Sequence, residues 1–171
     1  MESLAVAETV VFDKTGTLTE GKLSVGRILT GDGTAYRDAA HMKKAAPALF
    51  GCFSEACRIN TSSVAGRDGD GVLRALGGNA TDRALLESVL PFSQDATCEA
   101  MFSIPFDSEK KTSCAVGRRG GQEVLFVKGA PERLMARLTD AYAPDGTRKG
   151  LNRAELATRI QAMTEKGGRL R

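Results

Sequence analysis

The stretch Asp13-Lys14-Thr15-Gly16-Thr17-Leu18-Thr19 follows an apolar run, Val10-Val11-Phe12, that is typical of a buried strand. Asp13 therefore stands at the tip of the predicted strand, where the Thr and Gly that follow can turn backbone N–H groups toward a phosphoryl group. Lys14 offsets the negative charge there, and a carboxylate in this position can attack phosphorus as a nucleophile. The pattern predicts a phosphorylatable aspartate; the alternative is an ordinary strand followed by a Thr/Gly-rich turn.

The length and charge of the chain limit the classes of protein to which it can belong. Its 171 residues can form one good hydrophobic core, or one domain and a piece of another. No run approaches the roughly 20 apolar residues of a membrane-spanning helix, and the start at Met1-Glu2-Ser3 has no signal segment. The 24 Lys and Arg are interspersed with 21 Asp and Glu, which does not suggest nucleic-acid binding. We therefore expect a soluble, cytosolic and monomeric chain.

The cysteines do not form a metal-binding pattern. Cys52, Cys57, Cys98 and Cys114 include no Cys-x-x-Cys pair, and the single His41 has no cysteine near it in sequence. Cys52 and Cys57 lie in an apolar segment of helical composition, where they fit small core side chains. We interpret all four cysteines as reduced and structural.

The first half of the chain is predicted to combine short strands with helices. The predicted elements are strands at 8–12 and 22–30, two short helices within 39–58 divided at Pro47, and a helix that ends before Pro91. Gly66–Gly71, rich in Gly and Asp, is predicted to be a solvated connector without regular structure. Either Asn79 or Thr81 can cap the helix that follows.

The second half is predicted to be antiparallel sheet followed by helices. The expected elements are strands at 99–105, 112–118 and 123–128, a helix over 132–138, a turn at 144–146 and a helix that ends near 167–168. Gly120-Gly121 joins two of the strands as a hairpin, and Asn152 with Glu155 resembles a capping box. The predicted strands and helices thus occupy different parts of the chain. This arrangement predicts an α+β fold, mostly antiparallel sheet with packed helices.

A second motif, Lys128-Gly129-Ala130-Pro131-Glu132, follows the predicted strand residues 125–127. The strand brings Lys128 to the edge of a sheet, Gly129 lets a flat ligand approach the backbone, and Pro131 starts a helix. Together with the run at Asp13, this motif resembles signatures of the P-type ATPases, membrane pumps of the haloacid-dehalogenase superfamily that form an aspartyl-phosphate from ATP. Taken alone, the motif favours an ordinary lysine at a strand end followed by a proline-started helix; the match together with the run at Asp13 favours the ligand role.

The resemblance implies an ATP site, with Lys128 deep in the adenine pocket and Gly129 and Ala130 forming its wall. Residues 104–113 resemble the family's Pro-Phe-Asn/Asp-Ser stretch, which implies that Phe106 stacks on adenine. Lys111 would then reach the phosphates as a charge-assisted donor. The alternatives are a core phenylalanine and a solvated strand edge.

Two further segments extend the resemblance. Residues 79–86 are similar to the family's Thr-Glu-x-Ala-Leu-Leu helix start, with Thr81 at its threonine and Asp82 at the acid that contacts the adenine amino group. Aspartate is one methylene shorter than glutamate, so this contact is either direct or through water; the competing explanation is helix electrostatics. At the chain end, Arg171 best matches the family's phosphate-contacting arginine, and Arg169 competes for the assignment.

The resemblance divides the chain into residues 1–21, a piece of the phosphorylation domain, residues 22–168, the nucleotide-binding domain, and residues 169–171, the return to the phosphorylation domain. The family's Thr-Gly-Glu and Gly-Asp-Gly-x-Asn-Asp motifs are missing, and the end at Arg171 favours a piece cut from a larger pump. In the intact pump, Asp13 would be the catalytic nucleophile, assisted by Lys14 and Thr15. Mg²⁺ would be held there by Asp13 and the backbone of Thr15.

We therefore expect a domain that binds ATP but does not turn it over alone. Its partners would be the remaining phosphorylation, actuator and membrane domains of a cation pump. The Lys-Gly-Ala-Pro-Glu motif points to the calcium-pump-like branch, but residues 8–13 and 19–22 look rather like heavy-metal pumps, so the transported ion stays open. The alternatives are a free-standing haloacid-dehalogenase-like phosphatase and a non-catalytic nucleotide-sensing module.

Overall fold

The computed structural model of the chain describes residues 23–92 and 98–167. The five helices of this part are α1 (Ala39–Ala45), α2 (Pro47–Ile59), α3 (Ala80–Val89), α4 (Pro131–Leu134) and α5 (Arg153–Gly167). Its strands are β1 (Ile28–Leu29), β2 (Ala35–Tyr36), β3 (Val64–Arg67), β4 (Leu73–Leu76), β5 (Cys98–Asp107), β6 (Thr112–Arg119), β7 (Gln122–Gly129), β8 (Asp140–Tyr142) and β9 (Arg148–Gly150). The predicted strand at 8–12 and the run at Asp13 lie outside the described residues.

All strand pairs in the described part are antiparallel. They form a three-stranded sheet in the order β5-β6-β7 and three two-stranded sheets, β1-β2, β3-β4 and β8-β9. The α+β class and the antiparallel pairing are therefore confirmed, whereas the strands of this part divide into four sheets instead of one.

The three-stranded sheet is built around the predicted hairpin. Gly120 and Gly121 both have positive φ, 57° and 82°, as a tight two-residue turn requires, and Arg119 pairs with Gln122 across it. β5 is an edge strand, which explains how it continues past its predicted end through Pro105: an edge strand has a side on which no ladder hydrogen bond is needed.

The main hydrophobic core lies between α1, α2, α3 and the first two small sheets. The predicted break at Pro47 is confirmed, because α1 ends at Ala45 and Pro47 is the first residue of α2. The most deeply buried members of this core are Tyr36, Ala39, Met42, Ala46, Ala75, Leu86 and Val89. α2 also contacts all three strands of the β5-β6-β7 sheet, so it connects the core with the sheet.

The helix caps follow the sequence. Asn79 caps α3, since its side-chain Oδ1 accepts a hydrogen bond from the backbone N–H of Asp82 at 2.9 Å; of the two predicted caps, Thr81 lies inside the helix. Asn152 accepts from the N–H of Glu155 at 3.2 Å, and the two side chains are also hydrogen-bonded. Both caps satisfy a backbone donor that the first helical turn leaves unpaired.

Two predicted elements of the first half are wrong. The strand predicted over 22–30 is reduced to Ile28–Leu29 among its described residues, because its partner β2 offers only two residues for pairing. The predicted connector Gly66–Gly71 is instead the tip of the β3-β4 hairpin. Asp68 makes the turn by accepting hydrogen bonds from the N–H groups of Asp70 and Val72, and paired strands flank it.

Two further elements differ in the second half. The helix predicted over 132–138 is only α4 followed by a 3₁₀ turn at Met135–Arg137; none of its residues is buried, so no apolar face stabilises a longer helix. The predicted turn at 144–146 is present, but the short strands β8 and β9 that pair on either side of it were missed.

Candidate functional site

A cleft of about 380 Å³ lies where the N-terminus of α3 meets the ends of β5 and β7. Its volume is within the roughly 300–1,000 Å³ typical of small-molecule sites. The lining residues come from three separate stretches of the chain: Asn79, Ala80, Thr81, Asp82, Phe106, Lys128 and Gly129. Five residues assigned to the site from sequence, Thr81, Asp82, Phe106, Lys128 and Gly129, are thus brought together.

Phe106 reaches the cleft because of an irregularity in β5. The register of β5 against β6 shifts between Ile104 and Asp107, so Pro105 and Phe106 are not matched one to one with partner residues. Such bulges re-aim side chains. Phe106 is 52% exposed, which rules out the alternative of a core phenylalanine and leaves an aromatic surface available at the cleft.

Lys128 is half-buried near the end of β7. Its Nζ donates hydrogen bonds to Oδ1 of Asp82 and, at 2.9 Å, to the backbone carbonyl of Asn60. A lysine ammonium has three N–H donors. Two of them are therefore used within the protein, and the third has no acceptor among residues 23–92 and 98–167.

Asp82 is buried, with 4% of its surface exposed. Its Oδ1 accepts from Lys128, and its Oδ2 accepts from the backbone N–H of Ser62 at 2.8 Å and from the Ser62 hydroxyl at 2.6 Å. Burial opposes ionisation, but the hydrogen bonds from Lys128 and Ser62 outweigh it and hold the pKa of Asp82 below its usual value. Both carboxylate oxygens therefore bond within the protein, and Asp82 orients Lys128.

The lowered pKa of Asp82 predicts a specific acid sensitivity. A carboxylate with a depressed folded-state pKa stabilises the fold above its unfolded pKa of about 3.9, and this stability is lost as the pH falls through the folded-state value. We expect the difference in free energy of unfolding between the wild type and Asp82→Asn to be largest near neutral pH and to shrink below about pH 4. Urea unfolding at pH 7, 4 and 3 measures it. A difference that stays constant over this range would contradict the expectation.

Gly129, which lines the cleft, allows the end of β7 to lie close to the β5-β6 turn. A Cβ at this position would lie 2.7 Å from both the carbonyl oxygen of Lys111 and Cγ2 of Thr112, so only glycine allows β7 to end this close to the β5-β6 turn. The backbone N–H of Ala130 donates to the same Lys111 carbonyl at 3.1 Å. Lys111 itself is exposed, with a positive φ of 56°. Lys111 and Ala130 therefore adjoin the lining residues without belonging to them.

Sequence reasoning missed Asn60 and Ser62, which lie in the link 60–63 between α2 and β3. Asn60 is buried; its side chain donates to the carbonyls of Ser113 and Phe126 at 3.2 and 3.1 Å and accepts from the Ser113 hydroxyl at 3.0 Å. This fastens the end of α2 to β6 and β7 beside Lys128. In the sequence, Asn-Thr-Ser-Ser after a helix indicates only a cap or loop.

Four residues that were assigned catalytic or phosphate-binding roles from sequence lie outside the described residues: Asp13, Lys14, Thr15 and Arg171. All four cysteines are free thiols, and burial raises the pKa of Cys57 to about 12, in keeping with a structural role. Within 23–92 and 98–167, no helix is both long and apolar enough to cross a membrane.

Comparison with known proteins identifies the family. The model of the family described as P-type ATPase, cytoplasmic domain N, matches residues 52–171. "Probable cation-transporting ATPase I" of Mycobacterium tuberculosis (strain CDC 1551 / Oshkosh) is 32% identical over 145 residues, which cover 80% of this chain and 8% of that protein.

Two other relatives agree with this match. "Cation-transporting ATPase pma1" of Synechocystis is 27% identical over 194 residues, covering 99% of this chain and 21% of that protein. "Plasma membrane calcium-transporting ATPase 3" of Homo sapiens is 29% identical over 161 residues, covering 87% of this chain and 13% of that protein. The chain thus spans 8% to 21% of the length of these three relatives. Since the family model covers well over half of the residues, this chain belongs to the P-type ATPases and contains their cytoplasmic domain N.

Proposed function

We propose that this chain is the ATP-binding part of a cation pump and holds adenine in the cleft between Phe106 and the start of α3. The observation that carries the proposal is the exposed ring of Phe106 beside the half-buried ammonium of Lys128, in one cleft of suitable volume. An exposed aromatic face is what a flat base needs for stacking, and such stacking depends little on which base is bound.

The charges around the cleft suggest how the nucleotide is oriented. Inside, the negative charge of Asp82 offsets the positive charge of Lys128, so the site for the base is close to neutral overall. Outside, Lys110 and Lys111 are exposed at the β5-β6 turn and provide cations for an anionic group. We propose that the base lies inside, where Lys128 contributes its remaining N–H donor, and that the phosphates point outward toward Lys111.

In the intact pump we propose that an Asp13 carboxylate oxygen attacks the γ-phosphorus of ATP. The new oxygen–phosphorus bond forms as the bond to ADP breaks, and Lys14 and Thr15 stabilise the charge on the phosphoryl oxygens. The carboxylate of Asp13 and the backbone carbonyl of Thr15 are the type of oxygen ligand that Mg²⁺ takes, and the ion would neutralise phosphate charge there. Arg171 remains a proposed phosphate contact.

We propose that residues 1–21 and 169–171 belong to the phosphorylation domain and that residues 22–168 form the nucleotide-binding domain. The partners would be the phosphorylation, actuator and membrane domains of the same pump, with this domain on the cytosolic side. The similarity to a protein named as a calcium-transporting ATPase supports the calcium-pump-like branch for the transported ion.

An ATP titration followed by backbone ¹⁵N chemical shifts, with and without Mg²⁺, tests the proposal. We expect shifts at Asp82, Phe106, Lys128 and Gly129, and we expect adenosine alone to reproduce those shifts without the changes at Lys111. This pattern would separate base contacts from phosphate contacts. Absence of shifts at millimolar ATP, or shifts spread evenly over the chain, would contradict nucleotide binding in this cleft.

Asp13→Asn separates binding from chemistry. Because the proposed base site contains no contribution from Asp13, the variant should bind ATP within about twofold of the wild type. In the intact pump the same change removes the nucleophile, so no acid-stable phosphoenzyme should form from γ-labelled ATP. A sharp loss of ATP affinity in Asp13→Asn would show that the binding site extends beyond the cleft.

A further inference from the structure

We propose that Asn60 and Ser62 are positioning residues for Lys128, holding its ammonium at the cleft from two sides. This inference rests on the proposed nucleotide site. Asn60 acts directly, because its backbone carbonyl accepts a hydrogen bond from Lys128 Nζ at 2.9 Å. Ser62 acts through Asp82, donating both its N–H and its hydroxyl to the Oδ2 of the carboxylate whose Oδ1 binds Lys128.

The link 60–63 is itself held firmly at both ends. On one side, the buried side chain of Asn60 is bonded to β6 and β7. On the other side, the link packs against the turn before α3: a Cβ on Gly78 would lie 2.7 Å from the Ser62 hydroxyl oxygen and 2.5 Å from that of Ser63, and Gly78 has a positive φ of 61°. Such contacts leave the link little freedom, so the acceptors of Lys128 are fixed before a ligand arrives.

The arrangement has a chemical consequence for Lys128. A free surface lysine distributes its ammonium over many rotamers, and binding must then order it at an entropic cost. Here two of the three N–H donors are already committed to acceptors fixed by the link, and the third, on a side chain that lines the cleft, has no partner in the described part of the chain. The link therefore preorganises the lysine for a nucleotide.

The test replaces the hydroxyl of Ser62 and measures ATP affinity. Since hydrogen bonds to charged groups are among the stronger ones, we expect Ser62→Ala to weaken ATP binding about tenfold. Ser62→Thr, which keeps the hydroxyl, should restore the affinity to within about threefold of the wild type. Ser88→Ala is the matched control, because the part-buried Ser88 hydroxyl is bonded to the carbonyl of Leu85 within α3, outside both the link 60–63 and the cleft lining; it should bind ATP like the wild type.

A double-mutant cycle distinguishes positioning from general damage to the fold. If Ser62 acts through Asp82, Ser62→Ala should have no further effect on affinity in an Asp82→Ala background, within about twofold. Independent effects that multiply would overturn the inference, as would unchanged affinity in Ser62→Ala while the wild type binds ATP. Failure of the wild type to bind would instead refute the proposed function, so the two failures are distinguishable.

Discussion

Lys128→Ala should weaken ATP binding at least about tenfold and also lower the free energy of unfolding by about 3 kcal/mol, the low end for breaking a buried ion pair. Two effects combine. The cleft loses its only cation among the described lining residues, and Asp82, with 4% of its surface exposed, keeps a negative charge without its partner. The low end of the range applies because 26% of the Lys128 side chain remains exposed to water. Isothermal titration with ATP and urea unfolding measure the two quantities.

Two controls separate the contributions to this result. Adding Asp82→Ala to Lys128→Ala removes the unpaired charge, so the double variant should recover most of the lost stability without recovering ATP affinity. Lys110→Ala removes a cation of the same type from the exposed turn, where its contact with Asp107 is a surface pair, and should leave stability within about 0.5 kcal/mol of the wild type. Equal ATP affinity in the wild type and Lys128→Ala would refute the assignment of the cleft.

Local patterns in the sequence were sufficient for most of the helices and for the three-stranded β5-β6-β7 sheet. The break before Pro47, the Gly120-Gly121 hairpin and the Asn79 cap depend on the backbone preferences of single residues, which act over a few positions and can be recognised without the tertiary structure. The two-residue strands were not predictable in this way. A strand such as Ile28–Leu29 is defined by the partner that it meets, and that partner is fixed by packing.

The candidate site, too, could be predicted from the sequence only in part. Five of its seven lining residues were assigned to the site from sequence, because each lies in a motif that resembles the family's. The sequence could not show that two of them bind each other: Asp82 and Lys128 are 46 positions apart, and each was assigned to the ligand alone. Asn60 contributes mainly a backbone carbonyl to Lys128, which any residue could supply, so no side-chain signal exists. Pairing and backbone contacts of this kind are properties of the folded chain.

Phe106→Ala should reduce ATP affinity by about 1–3 kcal/mol, the usual contribution of an aromatic side chain stacked on a base, while changing stability by less than about 0.5 kcal/mol. The free energy of unfolding should change little because 52% of Phe106 is exposed, and truncating its side chain therefore removes few packing contacts. Phe106→Tyr keeps the ring and should bind ATP nearly as well as the wild type. Fluorescence or calorimetric titration of the variants gives the affinities.

Phe102 provides the matched control for this experiment. It lies on the same strand, is 63% exposed, and pairs in register with Val116, away from the cleft lining. Phe102→Ala removes the same side chain from a similar exposure, so general effects of losing an exposed phenylalanine from β5 appear equally in both variants. Phe106 lies within the register shift between Ile104 and Asp107 and lines the cleft, whereas Phe102 has a direct partner in β6 and does not line it. Equal losses of ATP affinity at the two positions would mean that the apolar face of the strand, and not the cleft, binds the base.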